Sequence, residues 1–203
     1  MKRYFIALTL LCLATGCSAQ TVANSERVNR ALSLMVIDSS QFDRNFMNPC
    51  DDMQQCQAPL VCMHSHCQIP PSLLNEPESD TPQLTIINGD AQHKLFVEIC
   101  NDRYTQTRGM MMRKAFADGW AMLFAFTDDS KRHFWMKNTY IPLDMVFVRK
   151  DGSVSNVIEN ARPLDEGPRY ESTDRVRYVI ELPVGSIQKY GITPSSKVVV
   201  PEN

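Results

Sequence analysis

Seven residues have types that could recognise a small polar molecule: Arg108, Arg113, Trp135, Lys137, Asn138, Asp144 and Glu181. Arginine grips a carboxylate through its planar fork. Aspartate and asparagine bind hydroxyls, and tryptophan stacks on a ring. A few charged groups around an aromatic are how a small polar ligand is oriented. Four of the seven fall in one stretch, FWMKNTYIPLDM (134–145). The competing reading of that stretch is architectural. Trp135, Met136 and Met145 would fill a core, Asn138 would bond to its own loop, and Asp144 would pair with Lys137 or Arg113. On an extended strand Phe134 and Met136 face one way and Trp135 the other, with Lys137–Tyr140 as the connection and Pro142 opening the next strand.

Other chemistry finds less support. Asp144 with Glu181 could act as a general acid–base pair, but carboxylates on strands are more often ion-paired. The G-x-S-x-G, H-E-x-x-H, G-x-G-x-x-G and phosphate-loop patterns are absent. Met110, Met111, Met112, Met122, Met136 and Met145 crowd one region, and thioethers suit Cu(I). Several of them lie in core-like strands, where methionine is a common filler. No metal and no cofactor is therefore expected. A formal net charge of -2 recommends no nucleic acid. Non-catalytic binding of a small polar ligand or an envelope partner is the leading expectation. An enzyme acting on an envelope glycan or small substrate is the alternative, and a structural interaction module the third.

The elements that must position these residues occupy 83–203. LTII (84–87), LFVEI (95–99), AMLFAF (121–126), HFWM (133–136), DMVFV (144–148), SVSNVIE (153–159), RYVIEL (177–182) and KVVV (197–200) read as strands. Asn88-Gly89 and Asp151-Gly152 are hairpin signals. One helix is expected over Arg103–Met112 and a short one over Ser186–Tyr190, stopped by Gly191. Many short strands with few helices give a mostly β domain, a sandwich or barrel.

Upstream of that domain the chain reads as exported. Lys2 and Arg3 precede an apolar run over 4–14, the layout of a secretory signal peptide. The run is shorter than the about 20 residues that span a bilayer. Leu13-Ala14-Thr15-Gly16-Cys17 resembles a bacterial lipobox, which makes 1–16 the leader and Cys17 the lipidated residue. Acyl chains would then anchor the protein to the membrane of the cell envelope, outside the cytoplasm. Residues 17–48 form a tether, in which Val28, Ala31, Leu32, Met35 and Val36 recur at helical spacing. Residues 49–68 carry Cys50, Cys56, Cys62 and Cys67. An even set of close cysteines in an exported chain is a disulfide framework replacing a core, with three connectivities open. His64 and His66 make zinc or copper the rival ligand set. Residues 69–82, IPPSLLNEPESDTP, read as a proline-rich linker.

RGMMMR (108–113), AMLFAF (121–126), FWMKNTYIPLDM (134–145), VIELPVG (179–185) and GITPSSKV (191–198) together carry a resemblance. Over 95–200 the chain resembles the domain of unknown function 192 family. That resemblance implies a compact, mostly antiparallel β structure of sandwich or jelly-roll character, with no established activity. Cys100 stands where the family commonly has alanine, which implies a buried free thiol and not a nucleophile. The cysteine segment separately resembles small two-disulfide knots of the form C…C…LVC…C. That likeness implies Cys50–Cys62 with Cys56–Cys67.

Overall fold

A computed structural model describes residues 26, 27, 30, 33, 34, 61–63, 66–68, 70–167 and 169–201, with backbone alone for 61–63 and 66–68. The leader, Cys17, Cys50, Cys56 and the side chains of Cys62 and Cys67 lie outside the described residues. Within the tether, Glu26, Arg27, Arg30 and Ser33 are helical. Two short strands, β1 (Val61–Met63) and β2 (His66–Gln68), pair antiparallel with Cys62 opposite Cys67.

The sequence 69–82 holds an element that a linker reading passes over. Helix α1 (Pro71–Leu74) opens on a proline, where a missing backbone N–H costs nothing. It ends at Asn75 in the left-handed region, which asparagine tolerates. Ser72, Leu73 and Leu74 are buried. The Ala117 N–H donates to Ser72 O at 3.1 Å, and Trp120 Nε1 donates to Asn75 Oδ1 at 3.0 Å. Residues 71–75 are thus strapped onto the β domain.

That domain comprises β3 (Gln83–Asn88), β4 (Ala91–Cys100), α2 (Arg103–Arg108), β5 (Trp120–Ser130), β6 (His133–Phe134), β7 (Leu143–Val148), β8 (Val154–Ala161), β9 (Tyr170–Glu171), β10 (Val176–Pro183), α3 (Ser186–Tyr190) and β11 (Lys197–Val199). Seven strands form one sheet in the order β11-β3-β4-β5-β10-β7-β8. All neighbours are antiparallel except β4 and β5, which run parallel because α2 and its following loop carry the chain back between them. Both hairpin signals hold: β3 pairs with β4 across Gly89-Asp90, and β7 with β8 across Asp151-Gly152.

The sheet curls until its edges meet. The Val198 N–H donates to Gly152 O at 2.8 Å and the Val154 N–H to Ser196 O at 3.2 Å, joining the β8 side to β11. Gly152 has φ +83, and a Cβ there would stand 2.4 Å from Val198 O, so this closure requires glycine. Inside the curl, Leu84, Ile86, Val97, Leu123, Ile180 and Val146 pack with Ile187 of α3. The second face carries Met122, Phe124, Val179, Met145 and Phe147. It is covered by Met110, Met136 and Phe134, the last from the small ribbon that β6 makes with β9. The mostly β class with few short helices therefore holds.

Sequence and structure differ at two elements for local reasons. The helix expected over Arg103–Met112 stops at Arg108. Asp102 opens it with a capping box, its carboxylate accepting from the Tyr104 and Thr105 N–H groups. Gly109 closes it under the Phe124 ring, where a Cβ would lie 3.1 Å from Phe124 Cζ. The strand expected over HFWM is only His133–Phe134. Its alternation survives, since Met136 is fully buried and Trp135 is 38% exposed.

Candidate functional site

The second face of the sheet contains a polar inclusion among apolar side chains. On β4, Phe96, Glu98 and Cys100 share one face, while Leu95, Val97 and Ile99 share the other. Glu98 pairs in register with Met122 of β5, and Met122 with Glu181 of β10, which in turn pairs with Met145 of β7. Two glutamates thus flank one methionine on the same face, about 10 Å apart at the backbone from two strand spacings. The RGMMMR segment lies over them and brings Arg108 and Arg113 into the apolar layer.

Arg113 is 2% exposed, with both terminal nitrogens engaged and Nε without a partner. Its two terminal nitrogens donate to Glu98 Oε1 at 3.1 Å and Oε2 at 2.8 Å, the bidentate geometry that makes arginine–carboxylate pairs strong. The same Nη1 donates to Ser72 Oγ at 3.1 Å, and Ser72 Oγ donates to Glu98 Oε1. Burial alone would push the Glu98 carboxyl up. The charge and hydrogen bonds of Arg113, with Ser72 and the Arg108 charge, outweigh it and hold the carboxyl below its usual range. Glu98 is therefore an ionised, neutralised partner.

Arg108 and Glu181 differ sharply from that pair. Arg108 is 7% exposed, and neither terminal nitrogen has a hydrogen-bond partner. Burial, then repulsion from Arg113, brings its pKa down to about 10, so it stays charged near neutrality. Glu181 is 4% exposed, and its Oε2 has no donor. Burial pushes its carboxyl up to about 8, against a weaker pull from Arg113. Cys100 is a buried free thiol. Burial, then the Glu98 and Glu181 charges, push its pKa up, so it is held as the unreactive thiol.

Beside these groups lies a cavity of about 400 Å³, a volume within the small-ligand range. Arg108, Arg113, Glu98 and Cys100 line its floor, Val97, Ile99, Trp120 and Met122 its apolar side, and Pro71, Glu78, Asp80 and Pro82 the strap side. Native structures rarely leave buried charged donors unpartnered.

Of the residues expected at a site, Arg108 and Arg113 line this cavity, and Glu181 sits beside it. A Cβ on Gly109 would come within 3.8 Å of Glu181 Oε2. Trp135, Lys137, Asn138 and Asp144 are elsewhere. Asp144 is 1% exposed and accepts the N–H groups of Asn160 and Ile187, each at 2.9 Å. It thereby holds a left-handed residue in β8 and the first turn of α3. Asn138, at φ +54, accepts the Met112 N–H on its carbonyl at 2.9 Å. Lys137 lies 5.3 Å over the Trp135 ring and 3.6 Å from Glu166. Sequence reading passes over Glu98 and Ser72. A signal for Glu98 existed: VEI and IEL both place a glutamate in an otherwise apolar strand. Among the described residues no group of three or more His, Cys, Asp or Glu could hold a metal ion.

Comparison with known proteins follows the same boundaries as the β domain. No curated protein matches the chain. A solved structure described as "a putative transcription regulator" from Sinorhizobium meliloti 1021 is 34% identical, with a TM-score of 0.57, over 59% of this chain and 92% of that one. A protein of unknown function from Novosphingobium aromaticivorans DSM 12444 is 32% identical, with a TM-score of 0.56, over 58% of this chain and 83% of that one. The family model DUF192, described as Uncharacterized ACR, matches residues 85–200, more than half of the chain, and the chain belongs to that family.

Proposed function

We propose that this is an exported, lipid-anchored protein of the bacterial cell envelope whose β domain binds a small polar ligand without chemistry. The observation that carries the binding reading is Arg108, a buried guanidinium with no partner on either terminal nitrogen, at the floor of a cavity. Its desolvation is unfavourable in the free protein and is compensated when a ligand supplies acceptors. Binding and not catalysis is favoured because Cys100 is held as thiol and Glu98 is consumed by Arg113. We read the curled sheet and the ribbon over its second face as sandwich-like, supported by the two apolar clusters on opposite faces. The regulator description of one relative is not carried over, because a net charge of -2 supplies no excess of cations for a phosphate backbone.

The test is thermal denaturation of wild type and Arg108→Met against a panel of small acids, sugars and amines. Unliganded Arg108→Met should melt no lower than wild type, because the substitution removes an unpaired buried charge. It should also lose the ligand-dependent rise in melting temperature. Protection that persists in the variant, or that no panel member gives to wild type, would reject the binding reading.

The envelope reading rests on the leader and on Cys17. Cells grown with radiolabelled fatty acid should yield labelled, membrane-bound protein, and Cys17→Ser should abolish the label. An unlabelled wild-type protein in the soluble fraction would refute the anchor. Among the described residues no helix is long and apolar enough to cross a membrane.

A further inference from the structure

We infer that the ligand of this cavity is a small monocarboxylic acid, bound as its anion, with the carboxylate on Arg108 and an apolar body against Ile99. The inference rests on the binding reading above and narrows it to one chemical class.

The first argument is geometric. Among the described residues, the buried polar atoms of this layer left unpartnered are the two terminal nitrogens of Arg108, Arg113 Nε and Glu181 Oε2, and only Arg108, 7% exposed at the residue level, leaves both nitrogens of a guanidinium fork free. Their fixed planar fork matches two oxygens of one carboxylate. A hydroxyl or a single carbonyl would satisfy one nitrogen and leave the other.

The second argument is charge. Arg108 and Arg113 bring two positive charges into the layer, and the bidentate Glu98 cancels one. Glu181 cancels little near neutrality, because burial leaves its carboxyl protonated there. Its surroundings are Gly109 and Arg113 on the covering segment, Cys100 from β4, Met122 from β5 and Met145 from β7. One positive charge remains uncompensated. A monoanion neutralises it, whereas phosphate at about -1.5 to -2 overshoots. The mouth adds to this preference. Glu78, Asp80 and Asp102 line it and repel a second negative charge more than a first.

The third argument is the rest of the wall. Half-buried Ile99 offers apolar surface beside the charged floor, with Val97, Trp120 and Met122 buried behind it. A body of a few carbons or one ring gains by covering it, while a polyhydroxylated sugar acid would leave hydroxyls without partners there.

Calorimetric titration of the full-length protein with benzoate, hexanoate, benzamide and inorganic phosphate tests the class. Benzoate and hexanoate should bind with Kd between about micromolar and low millimolar. Benzamide, which keeps the ring and loses the charge, should bind about tenfold or more weakly, as the loss of a charge-assisted bidentate contact requires. Phosphate should give no heat of binding. Arg108→Met should abolish the carboxylate signal, and Arg108→Lys, charged but without the fork, should fall between. Should Arg108→Met not fold, the Lys variant and the benzoate-to-benzamide ratio on wild type still decide the matter. Phosphate or benzamide binding as tightly as benzoate would overturn the carboxylate class while leaving small-ligand binding intact. Failure of both acids to bind would overturn the class, and a blank thermal panel as well would remove the binding reading itself.

Discussion

Arg113→Met will unfold at markedly lower denaturant than wild type, with a loss of about 3 kcal/mol, the low end of the cost of breaking a buried ion pair. The low end applies because Glu98 retains 14% of its side-chain exposure and can draw some water once abandoned. The loss comes from what remains, not from what is removed. Without the guanidinium, Glu98 Oε2 has no donor and Oε1 keeps only Ser72. The double variant Arg113→Met/Glu98→Leu should recover most of the deficit, since an apolar pair needs no partners on this face. Urea melts of both singles and the double measure the coupling. Losses that simply add would show that the pair is not a unit.

The pH dependence of that deficit has a definite sign. In wild type the folded Glu98 carboxyl sits below its unfolded value. It therefore contributes stability that is present above the unfolded pKa and is lost as pH falls through the folded one. In Arg113→Met the lowering cause is gone and burial takes over, so the carboxyl moves up. The deficit of the variant should thus shrink on acidification, starting above 4.5 as pH falls through the variant's raised carboxyl pKa and continuing below 4.5 as the wild-type contribution is lost.

Glu181→Gln should stabilise the protein, and the gain should grow with pH. The wild-type carboxyl is pushed from 4.5 up to about 8 by burial. Between those values the unfolded chain ionises and the folded chain does not, so the folded state binds the extra proton. Stability then falls as pH rises and levels off once the folded carboxyl also ionises. Glutamine carries no such penalty. Its advantage is expected to be small near pH 4.5 and on the order of 5 kcal/mol above pH 8, from about 1.4 kcal/mol per pKa unit. Melting temperatures of both proteins across this range are the measurement. A difference that stays constant with pH would mean that Glu181 is ionised in the folded protein throughout. Such a result would also remove the uncompensated charge on which the carboxylate preference depends.

How far the sequence carried the site is clearest at FWMKNTYIPLDM. Its composition suggested a ligand loop, yet its residues mainly organise the fold. Asp144 is spent on two backbone N–H groups, and Asn138 is a left-handed turn residue. An aspartate that caps a helix and one that holds a ligand look alike in one dimension. Which it is depends on whether a distant backbone donor, here Ile187, comes within reach. Arg108 and Arg113 were legible as candidates because a paired charge in RGMMMR stands out among methionines. Glu98 was hidden because its partner lies 15 residues away on another element.

Most strands of the seven-stranded sheet, both hairpin turns and the limits of α3 follow from the sequence alone, because alternation, glycine at positive φ and left-handed caps are local properties, whereas β1, β2 and β9 and the short β6 do not. Register and pairing order are not local. The parallel β4–β5 contact, the closure at Gly152 and the strap of 71–75 arise only when apolar surfaces from remote segments must be covered together. So does the sorting of two arginines: identical in the sequence, one is neutralised by Glu98 and the other left facing a cavity, because only the tertiary structure decides which carboxylate a buried charge can reach.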